Sequence, residues 1–153
     1  MLHGHTKVFE VTPTVDTSAY ADGDNIGGAS YELPSVNNEG QGGVIWTINV
    51  FDYAKQTPAI TILFFDQEPT NTTFTDNAVL AVDDADLPHL VGHVAIASTD
   101  YASLSDNAVA TKTNIGLSYV ALEDSLWAVI QSNGAPTFVA DSDLDVQITI
   151  WMD

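Results

Sequence analysis

Between Gly43 and Asp66 the chain reads GVIWTINVFDYAKQTPAITILFFD, two apolar runs around a short polar connection. Both runs alternate with period two and are rich in β-branched and aromatic residues, which predicts strands rather than helices. Under strict alternation Val44, Trp46, Ile48 and Val50 share one face, while Ile45, Thr47, Asn49 and Phe51 share the other. Ile60, Ile62 and Phe64 oppose Thr61, Leu63 and Phe65 in the same way. The connection Asp52–Pro58 is too short for the crossover that parallel strands need. The two strands are therefore antiparallel neighbours, or they face each other across a corner. Large apolar groups on both faces call for cover on both, from a second sheet or a partner subunit.

The rest of the chain repeats this grammar in shorter pieces. Lys7–Val15 alternates as a first strand, with Pro13 marking an end or an edge. Residues 1–6, polar and rich in His and Gly, form an expected flexible arm ahead of a single domain over residues 7–153. Asp16–Gly28 is dense in turn formers, a short strand is expected near Ala29–Leu33, and Ser35–Gly43 reads as a loop. Further strands are expected at Val91–Ser98, Leu117–Leu122, Leu126–Ser132, Phe138–Ala140 and Asp145–Met152, while Thr99–Asn114 reads as irregular. One helical turn is expected at Asp76–Leu80 or at Asp83–Leu90, capped by Asp83 or Asp84. About eight short strands with no long amphipathic helix predict an all-β fold, an antiparallel β-sandwich or jelly roll with one short helical turn.

Charge narrows the function. Three lysines, no arginine and 21 acids give a formal net charge of −18 over 153 residues. Such a chain repels nucleic-acid phosphate and anionic lipid, so neither nucleic acid nor membrane is an expected partner. There is no cysteine, hence no disulfide, no thiolate nucleophile and no cysteine-ligated zinc. The opening MLHGHTKVFEV has no apolar signal region, and no apolar run approaches transmembrane length. The expectation is a soluble protein, intracellular or released within a particle by lysis.

No catalytic constellation emerges. His89 and His93 are four apart, but Leu90, Val91 and Gly92 stand between them without the glutamate of a zinc helix, so a surface pair is expected. Asp141, Asp143 and Asp145 resemble the opening of a calcium loop that lacks its glycine and its closing glutamate, and are only weak metal candidates. Asp22, Asp24 and Asn25 form a similar fragment, as do Asp83, Asp84 and Asp86; turn chemistry explains them more simply. Nothing singles out a carboxylate pair for glycoside hydrolysis, and no GxSxG elbow occurs. Asn71-Thr72-Thr73 is a formal glycosylation sequon without a secretion signal to give it meaning. Trp46, Trp127 and Trp151 lie within apolar strands, which predicts core or interface packing rather than a sugar platform. No cofactor is expected.

Four segments together carry a family resemblance: DTSAYADGDNIGG, ITILFFDQEPT, DNAVLAVDDADLPHLVGHVAI and LWAVIQSNGAPTFVADSDLDVQITIWMD. Over residues 7–153 the chain resembles small virion structural proteins of tailed bacteriophages, those that decorate or cement capsids. The resemblance implies a non-enzymatic protein of the capsid exterior, assembled in the host cytoplasm. Its implied partners are the major capsid protein and neighbouring copies of itself in a homotrimer. Tail or fibre components share such folds and are the alternative within the class. Outside it stands a carbohydrate- or receptor-binding β-sandwich module, calcium-dependent or not. The arm suggests strand addition to a neighbour's open edge, with His3, His5, Lys7 and Phe9 as the expected contact residues.

Overall fold

Alternating apolar residues in ten strands produce two antiparallel sheets packed face to face. The computed structural model describes residues 4–37 and 42–152. The strands are β1 (His5–Val11), β2 (Asn25–Pro34), β3 (Gly42–Asp52), β4 (Ile60–Phe65), β5 (Leu90–Ile96), β6 (Tyr101–Ser103), β7 (Ala108–Lys112), β8 (Leu117–Val120), β9 (Ser125–Ser132) and β10 (Leu144–Met152). One sheet runs β1-β10-β3-β7-β6, with β8 also paired to β3; the other runs β2-β9-β4-β5. Setting β6 and β8 aside leaves two four-stranded sheets that exchange the chain at nearly every connection, the order of a jelly roll. The β-sandwich expected from the sequence is the fold observed. β3 and β4 lie in opposite sheets, the second of the two arrangements their short connection allowed.

The core fills the space between the sheets. Ile48 and Val50 of β3, with Val146, Ile148 and Ile150 of β10, are fully or almost fully buried. They face Ile60, Ile62 and Phe64 of β4 and Leu126, Ala128 and Ile130 of β9, which are equally buried. Each large side chain so placed contributes about 1.5–3 kcal/mol relative to exposure.

Several boundaries depart from the sequence expectation, each for a local reason. β1 starts at His5, inside the expected arm, because Thr6 and Lys7 continue the ladder opposite Trp151 and Ile150. β2 begins four residues early and is interrupted between Ile26 and Tyr31, where Gly27 and Gly28 adopt φ of 87° and 61°. A Cβ on Gly28 would lie 2.8 Å from the backbone nitrogen of Asp76, so only glycine fits this kink. Thr99–Asn114 is not irregular: it holds a 3-10 turn (Ser98–Asp100), β6 and β7. The inward residues of β7 are Ala108 and Ala110, which are buried but too small to stand out as an apolar run. Phe138–Ala140 is not a strand. Phe138 is a loop residue buried edge-on against Tyr20, with ring centroids 5.9 Å apart. The helical turn is a 3-10 turn at Leu87–His89 with Asp86 at its N-cap, where Asp83 or Asp84 was expected.

Strict alternation also fails once inside β3. Thr149 pairs with Thr47, but the next residue, Ile150, pairs with Ile45, so Trp46 is an extra residue bulged out of the ladder. Ile45 thereby joins Ile48 and Val50 on the buried face, and Trp46 is turned outward. The bulge predicts an asymmetry between neighbours. Ile45→Ala should cost about 2–5 kcal/mol in urea unfolding, and Val44→Ala, on the half-buried outer face, well under half of that. A larger loss at Val44 would restore strict alternation and remove the bulge.

Candidate functional site

The two sheets differ in what covers their outer faces. On the β2-β9-β4-β5 sheet, outward Leu63, Phe65, Trp127 and Val129 meet Phe74, Leu80 and Val82 from the long excursion between β4 and β5. Buried Asp86 pins that excursion. Its carboxylate accepts from the Thr72 backbone (2.6 Å) and hydroxyl (2.7 Å) and from the Asn71 side chain (2.9 Å). Asp76 adds a second pin, its Oδ1 accepting from the Tyr20 hydroxyl and the Gly27 backbone, both at 2.8 Å. The Tyr20 phenol is pushed far above its ordinary pKa, first by burial, so it remains a donor to Asp76.

Among the described residues no such cover lies on the outer face of the other sheet. Register places its outward residues in rows across the strands. One row is Thr6, Trp151, Val44 and Ser118; the next is Val8, Thr149 and Thr47, with bulged Trp46 beside them. Neither row contains a charged side chain, in a chain with 21 acids. Val8, Trp46, Trp151 and Val120 are 51, 41, 50 and 57% exposed, and the two indoles meet edge to face at 6.0 Å. Of the core or interface packing expected for the three tryptophans, half-buried Trp127 takes the first, while the bulge and the terminal row leave Trp46 and Trp151 outside the core. No sequence pattern announces a bulge.

The following rows change character. Glu10, Gln147, Asn49 and Thr111 form one, and Asp145, Phe51 and Val109 the next. Here Glu10, Phe51, Tyr53, Asp145, Val146 and Gln147 line a shallow cleft of about 230 Å³. The Tyr53 hydroxyl donates to Asp145 Oδ2 at 3.0 Å.

The residues expected to carry contacts or metal are placed as follows. His3 lies outside the described residues. His5 is exposed, but Lys7 and Phe9 point into the sandwich rather than toward a neighbour. Phe9 is core, and the Lys7 ammonium, 4.8 Å from the Phe9 ring centre, donates to the Pro34 and Ser35 carbonyls, bridging the edges of the two sheets. The outward face of β1 is Thr6, Val8 and Glu10; among the described residues its backbone pairs only on the β10 side. Asp141, Asp143 and Asp145 do not converge, and no group of three metal-capable side chains occurs among the described residues. Asp143 Oδ2 instead accepts from the Val139 and Ala140 backbones at 2.8 and 2.7 Å, which is turn chemistry. His89 Nδ1 lies 3.0 Å from Asp66 Oδ1, whereas His93 is exposed on β5, opposite Leu63.

No family model matches the chain, and no curated protein matches it. Among solved structures, it is similar to a chain of the full particle of Israeli acute paralysis virus heated to 63 degrees. The TM-score is 0.27 and the identity 13%, over 97% of this chain and 70% of that one. A likeness at that level carries no argument.

Acid should unfasten the excursion. For Asp86, burial alone would raise the pKa, but hydrogen bonds from Thr72 and Asn71 outweigh it and hold the carboxyl below its ordinary 3.8. Hydrogen bonding, from Lys112 first at Asp100 and from Ser18 first at Asp16, lowers those two as well. Depressed values contribute stability that is present above the unfolded pKa and lost as pH falls through the folded one. Asp52, raised chiefly by burial, works in the opposite sense. The melting temperature should therefore fall below about pH 4. Asp86→Asn should melt lower at pH 7 and lose less on acidification, and parallel curves would remove Asp86 from this role. Calcium should leave the melting temperature unmoved beyond the effect of matched ionic strength, since Asp143 is already committed to backbone donors; a saturable rise would show a site these contacts exclude.

Proposed function

We propose that this chain is a non-enzymatic structural protein of a virus particle, a decoration or cement protein that docks on the outer capsid surface. One observation carries the reading: the chain covers the outer face of one sheet with its own excursion and leaves two uncharged rows with two exposed tryptophans on the other. Exposed apolar side chains grouped on an uncharged face of an otherwise acidic surface mark an interaction site, and tryptophan is the residue most enriched where interfaces concentrate their energy. The docking strand edge is β1, whose outer backbone groups are free to accept a neighbour's strand. Repulsion among copies keeps the free protein dispersed, and a complementary shell surface with screening ions offsets it on docking. The jelly roll is compatible with this role but does not establish it, because one fold serves many functions.

The test is co-sedimentation with capsids of the encoding virus stripped of this protein. The full chain should bind at a fixed number of copies per shell. Trp151→Ala should weaken binding by about 2 kcal/mol, roughly thirtyfold, while its melting temperature stays close to that of the parent, as expected for an exposed side chain. Saturable binding that ignores both Trp46→Ala and Trp151→Ala would place the docking face elsewhere. No binding at any salt concentration would end the decoration reading in favour of a tail component or a ligand-binding module.

A further inference from the structure

We propose that the cleft lined by Glu10, Phe51, Tyr53, Asp145 and Gln147 binds a guanidinium group, presented by an arginine side chain of the docking partner. The source of the arginine rests on the docking reading; the chemistry of the cleft does not.

The charge balance of the site is the first argument. Glu10 and Asp145 are the acids on the outward rows of this sheet, and both line the same cleft. The chain has no arginine of its own. Its three lysines are engaged elsewhere: Lys7 with the Pro34 and Ser35 carbonyls, Lys55 with the Ser105 carbonyl, and Lys112 with Asp100 at 2.8 Å. Among the described residues, Glu10 accepts no hydrogen bond from a side chain, and neither acid has a cation. Asp145 is held by Tyr53 through one oxygen; its Oδ1 is shielded from solvent and has no hydrogen-bond partner. A carboxylate left one hydrogen bond short on its shielded side holds its charge at a cost, and a charged donor that meets its accessible side from the cleft lowers that cost.

The lining then selects among cations. A hard metal ion needs several oxygen ligands, and here Gln147 Oε1 already accepts from Asn49 Nδ2 at 3.2 Å. Asn49 is oriented in turn by Thr111, whose hydroxyl donates to its Oδ1 at 2.8 Å. Only two carboxylates are left, too few to cage calcium. Phe51 and Tyr53 instead offer ring surface to a flat, weakly hydrated cation, and carboxylates on adjacent strands suit a group with several donors in one plane. Guanidinium meets both demands better than a lysine ammonium. A neutral saccharide would use the rings but leave two uncompensated carboxylates beside them.

Titration of the full-length protein with arginine methyl ester, followed by two-dimensional amide NMR, tests this without any capsid. Saturable shifts are expected at Glu10, Phe51, Tyr53, Asp145 and Gln147, at least roughly tenfold weaker for the uncharged isostere citrulline methyl ester. Glu10→Gln, a change at an exposed position, should weaken arginine ester binding severalfold without disturbing the remaining spectrum. The proposal is overturned by an absence of shifts, by equal response to citrulline ester, or by a methyl glycoside or calcium occupying the cleft in preference. Capsid sedimentation reports separately on the tryptophan rows, so either result can fail while the other stands.

Discussion

The molecule depends on two strands from its last third inserting into the middle of sheets begun much earlier. β10 lies between β1 and β3, and β9 lies between β2 and β4. Each sheet is continuous only once its own inserted strand has arrived. β10 supplies inward Val146, Ile148 and Ile150 opposite Val50, Ile48 and Ile45, while β9 supplies Ala128 and Ile130 opposite Phe64 and Ile62. Each inserted strand satisfies the backbone donors and acceptors of two neighbours at once. The apolar gain and the hydrogen-bond gain therefore arrive together, over sequence separations of about a hundred residues. Such topology is slow to nucleate because loop closure precedes the contacts that reward it.

Given that frame, the acidic composition is less a surface coating than a turn-building device. Asp52 is fully buried at the end of β3, where its two oxygens accept from the backbones of Ala54 and Thr57. Asp86 and Asp143 organise loops in the same way, and Asp24 accepts from Ala21. A carboxylate surrounded by backbone N–H groups needs no cation, since several charge-assisted hydrogen bonds replace one. This is how a chain with 21 acids and three lysines closes these loops with backbone donors in place of salt bridges. The lysines are committed at seams instead: Lys7 between the edges of the two sheets, Lys112 on the 3-10 turn ahead of β6.

What the sequence makes legible follows from the same division between local and distant causes. Period-two alternation is local, so β3, β4, β9 and β10 are readable, and with them the sandwich. Aspartate clusters such as DSDLD are readable as turns for the same reason. The bulge at Trp46 is not, because it is defined by the partner strand, where Thr149 and Ile150 skip a residue opposite. That one slip decides whether Trp46 belongs to the core or to the surface, so the candidate docking patch was invisible while the strand that bears it was plain. β7 escapes for a different reason: its buried positions are Ala108 and Ala110, too small to mark an apolar run. The expected contact residues of β1 have the wrong parity, since Phe9 and Lys7 face inward and Thr6, Val8 and Glu10 face out.

The two outer faces show what the chain resolves by itself and what it leaves open. Leu63, Phe65, Trp127 and Val129 would form an apolar face as broad as any here, and twenty-odd residues between β4 and β5 cover it, fastened by Asp76 and Asp86. Among the described residues nothing comparable crosses Val8, Trp46 and Trp151. In a strongly self-repelling chain, exposed tryptophans gathered on rows free of acids are a surface from which like charge has been withdrawn, so that apolar contact is not opposed at short range. The acids reappear on the same face only where the cleft begins, beside two aromatic rings and without a cation to meet them. A partner that fits is apolar over one half of its footprint and positive over the other. Among the described residues every lysine of a second copy is already engaged, which is why the positive half of our proposal is assigned to a different chain.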